Sequence, residues 1–157
     1  MVKIRKAKLS DLKAVQSLNH ALFKKERMDY DPTLNGKWTY GLAGTSFFKD
    51  RISKPNGCLI VAEVNGFIIG YLAGGMAKTE KYRTPSMTAE LENMFVLEKF
   101  RGKGLGSKLT LEFLGWCQKN GAQIVRVVAS YNNKQAIGFY KSLGFSSYNV
   151  VLEKVIN

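Results

Sequence analysis

The sequence predicts an α+β fold over residues 1–157 as one domain, and three observations support this class. The 157 residues, 45% hydrophobic and 23% charged, suffice for one substantial core and are too few for a second full domain. Segments that alternate apolar and polar residues, as strands do, are interspersed with segments whose apolar residues recur at helical spacing. Asn65-Gly66, between two apolar runs, is a strong signal for a two-residue β-hairpin turn.

The first half of the chain is predicted to form a strand, two helices and the hairpin. In chain order these are a strand (2–7), a helix from Ser10 or Asp11 to the charged run 24–27, an aromatic loop (28–44), a short helix from Thr45 or Ser46 to about Ile52, and the hairpin strands 57–64 and 67–74. Hydroxyl and carboxylate side chains begin both helices because they can accept hydrogen bonds from the first free N–H groups.

The second half is predicted to alternate strands and helices. Its elements are a strand (87–97), a helix (104–120), a strand (122–129), a helix (133–143) and a final strand (145–155). Gly121 and Gly144 lie where helix C-caps belong. No internal repeat is present.

Charge and cysteine content limit the classes of partner. The 24 Lys+Arg and 12 Asp+Glu give a net charge of +12, which favours an anionic partner such as nucleic acid, a membrane surface or a phosphorylated cofactor. The charge is spread along the chain rather than concentrated in a basic arm, which disfavours nucleic acid. Cys58 and Cys117 lack metal-site spacing, so we expect neither a zinc site nor a disulfide framework. No apolar run approaches the roughly 18 residues that span a bilayer, so we expect a cytoplasmic protein with no membrane partner. We also expect no metal.

The run RGKGLG, residues 101–106, lies between a predicted strand and a predicted helix. Glycines at a helix N-terminus leave backbone N–H groups uncovered, and these donors together with the helix dipole bind phosphate oxygens. A Walker A string is absent, and a dinucleotide fingerprint beginning at Gly102 would need Gly or Ala in place of Ser107. A turn that only packs a helix against a strand would explain one or two of the three glycines. We therefore expect a pyrophosphate site of another kind.

Two segments resemble the GNAT superfamily of acyl-CoA-dependent N-acetyltransferases. Residues 92–106, ENMFVLEKFRGKGLG, resemble its signature of a strand followed by [Q/R]xxGx[G/A], and residues 133–145, NKQAIGFYKSLGF, resemble its NxxAxxFYxxxGF segment. The resemblance implies a three-layer αβα fold, with a mixed, largely antiparallel sheet of about six to seven strands and helices on both faces. It also implies transfer of the acetyl group of acetyl-CoA to a primary amine by direct attack in a ternary complex.

The resemblance further implies where acetyl-CoA binds. Strands 87–97 and 122–129 would splay apart, and the main chain beside this opening would pair with the pantetheine arm, a backbone N–H near Val96 meeting the oxyanion. The implied acetyl-CoA-binding residues are Met94, Phe95, Val96, Arg101, Gly102, Lys103, Gly104, Leu105, Gly106, Ser107 and Asn133. Asn133 also fits a plain helix N-cap.

Attack of an amine on a thioester requires a base for the amine and an acid for the departing thiolate. Tyr140 occupies the tyrosine position of the family segment and is the expected acid, although it also fits a core aromatic beside Phe139. Glu90 and Glu92 stand two apart in one strand and share a face of the sheet, so either is the expected base, directly or through water. A solvated polar face is the alternative for both.

The acceptor is expected to be a small-molecule amine or a peptide or protein amine. In the family, the segment between the first two helices borders the acceptor, which here makes Tyr30, Trp38 and Tyr40 the predicted substrate-binding residues. Two other functions stay open at this point: an acetyl-CoA-binding regulator without turnover and, less favoured, a basic nucleic-acid-binding module. A homodimer is also compatible with the sequence.

Overall fold

The computed structural model describes residues 1–157 and contains one five-stranded sheet. The strands are β1 (Lys3–Lys6), β2 (Gly57–Val64), β3 (Phe67–Ala77), β4 (Thr88–Val96) and β5 (Ile124–Val127). They are arranged in chain order; the first three pairings are antiparallel and the β4–β5 pairing is parallel. The mixed, largely antiparallel sheet is therefore confirmed.

Four helices cover the two faces of the sheet. They are α1 (Leu12–Asp29), α2 (Leu42–Ser53), α3 (Leu105–Lys119) and α4 (Lys134–Ser142). One core, which includes Phe48 and Tyr71, joins the sheet to α1 and α2, and a second, which includes Leu91 and Phe113, joins the opposite face to α3. Tyr140 of α4 packs against this second core, so the three-layer αβα arrangement is confirmed. None of the four helices has the length and apolar content needed to cross a bilayer.

The expected count of six to seven strands is wrong, because the final strand predicted over residues 145–155 is not formed. Residues 145–157 contain neither helix nor strand, and residues 146–157 are exposed. Alternating apolar residues give this segment the propensity of a strand, but a strand also needs a neighbouring edge to accept its hydrogen bonds. No strand of the chain forms backbone hydrogen bonds with it.

The first two helices are longer than predicted. α1 continues past the charged run to Asp29, and Lys25 pairs with Asp29 one turn later at 2.5 Å. α2 begins at Leu42 after Gly41, ahead of the predicted cap at Thr45, whose hydroxyl instead accepts a hydrogen bond from Gln16. The aromatic loop is correspondingly shorter than the predicted 28–44.

Candidate active site

Strands β4 and β5 separate partway along β4. Their parallel pairing covers four residue pairs and ends at Leu91 and Val127, whereas β4 continues to Val96. A cleft of about 600 Å³ opens from this point and is bordered by β4, the end of β5, the starts of α3 and α4, and one side of α1. We call this space the cleft. It lies between the two strands that the sequence resemblance implies splay apart.

A β-bulge marks the separation. Leu91 and Asn93 pair with the consecutive residues Gly74 and Ala73 of β3, so Glu92 is an extra residue in β4. A bulge bends its strand and increases the local twist. The bulge thus helps to turn β4 away from β5 and to open the cleft.

The far half of β4 presents an unpaired backbone edge to the cleft. Leu97 donates its N–H to the Ile69 carbonyl of β3 at 2.9 Å. Because antiparallel strands alternate the direction of their hydrogen-bonding groups, Met94 and Val96 direct theirs to the opposite edge. The Val96 carbonyl accepts a hydrogen bond from Arg101 Nε at 2.8 Å, and the Val96 N–H stays free for an extended ligand.

The glycine-rich turn, residues 101–107, leads into α3 with six consecutive free amides. The N–H groups of Arg101 and Lys108 are bonded within the chain, at 3.0 Å each, whereas none from Gly102 to Ser107 donates to a protein acceptor. Gly102 and Gly104 have φ of 72° and 73°, a backbone region that costs side-chain-bearing residues energy. Free amides at a helix N-terminus form an anion site.

Gly106 allows α3 to approach α4 closely at the cleft, and Asn133 caps α4 there. A Cβ at Gly106 would lie 3.2 Å from the ring of Phe139, so a larger residue would push the two helices apart. Asn133 Oδ1 accepts a hydrogen bond from the Ala136 N–H at 3.0 Å and thereby caps α4. Asn133 also lines the cleft. Its role as an N-cap and its place beside a ligand are therefore compatible.

The basic side chains of the turn, Arg101 and Lys103, contact groups of the chain itself. The Arg101 guanidinium is bonded to Val96 and lies over the Phe95 ring, 5.0 Å from its centroid. Lys103 lies outside the cleft, with its ammonium 5.7 Å from the Phe100 ring centroid. Backbone amides, more than cationic side chains, are thus the donors that this turn offers.

Tyr140 lines the cleft from α4 and makes no side-chain hydrogen bond within the chain. Its ring is fixed by Phe139 and Phe145, whose centroids lie 5.1 and 5.6 Å away. Burial, and secondarily the nearby Glu26 carboxylate, raises the pKa of Tyr140 to about 12. The hydroxyl is therefore a protonated donor at neutral pH.

The two predicted bases are held in ion pairs. Glu92 lines the cleft, but its two carboxylate oxygens accept from Nε and Nη2 of Arg51 on α2, at 2.5 Å each. Glu90 lies outside the cleft and is paired with Arg126 of β5 at 3.4 Å. Neither carboxylate can take a proton from an amine without weakening its ion pair.

Two polar groups that the sequence reasoning missed lie in the cleft without partners. Glu26 of α1 makes no ion pair, and burial, followed by the charge of Asp31, raises the pKa of its carboxyl group. Asn93 Oδ1 is buried with no hydrogen-bond donor in contact. The signal for Glu26 was its spacing, since it continues the helical stripe of Leu18 and Leu22 one turn further. No sequence pattern indicates Asn93.

Of the three predicted acceptor residues, only Tyr30 lines the cleft. Trp38 instead stacks on Phe23 with centroids 5.5 Å apart, because buried Thr39 donates to Asn19 at 2.6 Å and fixes this turn to α1. Tyr40 is 55% exposed and lies against His20, away from the cleft.

Other chemically active side chains lie elsewhere. Cys58 and Cys117 are free and buried outside the cleft, and burial raises the pKa of each thiol to about 12. No three or more His, Cys, Asp and Glu side chains come together in a group that could hold a metal ion.

Two sequence relatives are uncharacterized N-acetyltransferases. An uncharacterized N-acetyltransferase of Methanocaldococcus jannaschii is 34% identical over 108 residues, covering 67% of this chain and 46% of the relative. Another, from Archaeoglobus fulgidus, is 27% identical over 97 residues, covering 62% of this chain and 65% of the relative. The chain thus spans less than two thirds of either relative.

A solved structure has the same fold. The aminoglycoside N-acetyltransferase AAC(6')-Iy, in complex with CoA, superimposes with a TM-score of 0.79 at 18% identity, over 99% of this chain and 95% of that one. Residues 14–145 match the family described as Acetyltransferase (GNAT) family. Since the match covers most of the sequence, the chain belongs to the GNAT acetyltransferase family.

Proposed function

We propose that this protein transfers the acetyl group of acetyl-CoA to a primary amine by direct attack. The observation on which this depends most is that two backbone surfaces, the open edge of β4 and the free amides from Gly102 to Ser107, border the same cleft. An extended arm that ends in a diphosphate fits this pair of surfaces. The CoA complex of the aminoglycoside N-acetyltransferase with the same fold supports this choice.

Acetyl-CoA supplies an acetyl thioester, and the residues of the chain hold it in position. The amides of the glycine-rich turn bind the diphosphate, with the positive end of the α3 dipole adding to the attraction. The backbone of Met94 and Val96 pairs with the pantetheine arm as a further strand would. The free N–H of Val96 lies where it can donate to the thioester oxygen as negative charge develops there.

The acceptor end of the cleft is suited to an ammonium group. Glu26 offers a carboxylate and Asn93 a buried amide oxygen, and neither is bonded within the chain. Both groups accept hydrogen bonds, so a ligand rich in N–H donors satisfies them and a carboxylate ligand does not. Tyr30, whose N–H donates to the Glu26 carbonyl, adds an aromatic side chain to the cleft lining. We therefore assign this end to the amine.

Glu26 is the proposed base and Tyr140 the proposed acid. An alkylammonium ion of pKa about 10 must lose a proton before its nitrogen can attack. Glu26 accepts that proton and passes it to solvent; the C–N bond then forms as the C–S bond breaks. Tyr140 gives its proton to sulfur and regains the second proton that the nitrogen loses. Glu92 is the competing base, but its pairing with Arg51 makes it the less available carboxylate.

An acceptor panel with free CoA measured by a thiol reagent tests the proposal. The panel contains amino acids, polyamines, aminoglycosides and peptides with free N-termini. The protein adds little background because Cys58 and Cys117 are 3% and 1% exposed. We expect thiol release in equal amount to the acetylated amine for at least one acceptor. Tight binding of acetyl-CoA with no thiol release for any of them would instead support a non-catalytic regulator.

A further inference from the structure

A second cavity lies at the edge of the sheet opposite β5, where β1 ends. It has a volume of about 230 Å³ and is bordered by the end of β1, the last turn of α2, the start of β2 and Trp116 of α3. None of its 11 lining residues borders the cleft, so it is a separate space, which we call the edge pocket. At about 30 Å³ for a group the size of water, it has room for about eight non-hydrogen atoms.

The last turn of α2, which lines the edge pocket, ends in free carbonyl oxygens. A helix C-terminus leaves its final carbonyls without donors inside the helix. Pro55 has no N–H, and the Gly57 N–H donates to the Lys54 carbonyl at 3.0 Å, so the carbonyls of residues 51–53 accept no backbone hydrogen bond. The helix dipole adds partial negative charge at the same end. This side of the edge pocket therefore favours a cation that carries N–H donors.

The strand side of the edge pocket has free donors instead. The Ala7 N–H donates to the Leu59 carbonyl at 2.9 Å, but the Leu59 N–H, which strand alternation directs towards β1, makes no bond in return. Lys6 makes no ion pair. Its ammonium group is near the Cys58 thiol, because its charge opposes the burial that raises the pKa of Cys58 to about 12. A carboxylate satisfies both free donors.

Arg51 of α2 adds a further donor and connects the edge pocket with the cleft. Its Nε and Nη2 are bonded to Glu92, which lines the cleft, while its Nη1 makes no hydrogen bond. Lys54, the other cation of this turn, is paired with Asp50 at 2.8 Å. No acid lines the edge pocket, although Glu112 of α3 contributes negative charge from outside its lining. The edge pocket thus combines unpaired groups of both signs.

We propose that the edge pocket binds a free α-amino acid with a small apolar side chain. Its carboxylate pairs with Lys6 and the Leu59 N–H, and its ammonium group pairs with the carbonyls that end α2. Its side chain packs on Trp116 and Ile52, which line the same space. Valine, with about eight non-hydrogen atoms, matches the volume of about 230 Å³. The site is separate from the cleft and does not depend on the proposed acetyl transfer.

Calorimetric titration of the chain with L-valine, without acetyl-CoA, tests the proposal. We expect one site per chain with a Kd of about 1 mM or tighter, and a change in tryptophan fluorescence that Trp116→Phe removes. The compound 3-methylbutanoate lacks only the ammonium group of valine, and valinamide lacks only its carboxylate charge. We expect each to bind at least about tenfold more weakly than valine, because each leaves one set of groups in the edge pocket unpaired.

A pair of lysine variants locates the bound amino acid. Lys6→Met should weaken valine binding at least about tenfold and leave the thermal midpoint unchanged, because Lys6 is exposed and unpaired. The matched variant Lys3→Met removes an exposed cation of the same strand outside the edge pocket and should bind valine as wild type does. Thiol release from acetyl-CoA should be the same in both variants, so failure of the amino-acid site and failure of acetyl transfer are measured separately.

Four results would overturn the proposal. Absence of valine binding at about 10 mM would mean that the edge pocket takes no amino acid. Equal binding of 3-methylbutanoate and valine would reveal a plain anion site, and equal binding of valinamide and valine a plain cation site. Valine binding that Lys6→Met leaves intact would place the ligand elsewhere in the chain, and weakening by Glu26→Gln would place it in the cleft.

Discussion

Replacement of Tyr140 by Phe isolates the proposed acid. The hydroxyl lines the cleft and has no hydrogen-bond partner in the chain, so its removal leaves no group unsatisfied. We therefore expect the thermal midpoint and the KM for acetyl-CoA to stay close to wild type. We expect kcat to fall, because the departing sulfur loses its proton donor.

The size of the fall follows from the burial of Tyr140. Its pKa of about 12 lies well above the value of roughly 8.5 for a free thiol, so complete proton transfer to sulfur is uphill by roughly 5 kcal/mol. General acid catalysis raises reaction rates about 10²–10⁴-fold. Because the pKa of Tyr140 lies above that of the thiol, we place its contribution at the lower end of this range. We expect kcat to drop about 100-fold, equivalent to roughly 2.7 kcal/mol.

The assay is the initial rate of thiol release at saturating acetyl-CoA, with Tyr82→Phe as the matched control. Tyr82 is 87% exposed and lies outside the cleft, so its variant should behave as wild type. With Tyr140 protonated up to a pKa of about 12, kcat of the wild type should not decline from loss of the acid below about pH 11. A Tyr140→Phe enzyme with kcat within about threefold of wild type would refute the acid role.

Three further substitutions have distinct expected outcomes. Glu26→Gln should lower kcat. It should also raise the thermal midpoint at pH 7, because burial raises the pKa of this carboxyl group and its charged form opposes folding above about pH 4.3; in more acidic buffer this gain in thermal midpoint should vanish. Gly104→Ala should cost roughly 1–2 kcal/mol of stability through its positive φ and weaken acetyl-CoA binding several-fold in a titration. Arg51→Met should leave the Glu92 carboxylate unpaired and lower the free energy of unfolding by about 1–3 kcal/mol in a denaturant titration at pH 7.

Each of these variants has a control on the same or a comparable surface. Glu112→Gln changes an exposed acid of α3 and should alter neither rate nor stability. Gly115→Ala, in the interior of α3 with open space around the new Cβ, should stabilise by about 0.5–1 kcal/mol without changing acetyl-CoA affinity. Lys54→Met breaks an exposed pair with Asp50 and should cost less than about 1 kcal/mol. If Glu92→Gln abolishes turnover while Glu26→Gln does not, the base has been assigned to the wrong carboxylate.

The parts of the site that are continuous in sequence could be predicted from it. The glycine-rich turn was recognisable because its glycines and the helix that follows stand next to one another, and backbone chemistry acts over that short range. The partners of Glu92 and Glu90 were not, since Arg51 and Arg126 lie far from them in the chain. The position of Trp38 outside the cleft could not be read from the sequence for the same reason, because the Asn19–Thr39 hydrogen bond that fixes it is a tertiary contact.

The predicted final strand illustrates a second limit. Residues 145–155 have the alternation of a strand, and this local pattern gives them the propensity to form one. Strand pairing is not a local property, because it requires the free edge of another strand in the right position. A pattern of residues therefore indicates what a segment can form and leaves open where it does so.

The short pairing between β4 and β5 joins β5 only weakly to the sheet. Only four residue pairs join β5 to the remaining strands, and the cleft begins where they end. A ligand arm bonded along β4 would fill the cleft and contact both β4 and the β5–α4 side of it. Bound acetyl-CoA should then slow hydrogen exchange in β5 and α4 more than in β2 and β3, where strand pairing is already complete. Bound acetyl-CoA would take the place of a strand beside β4. The stability of this edge of the sheet would therefore depend on the acetyl-CoA concentration.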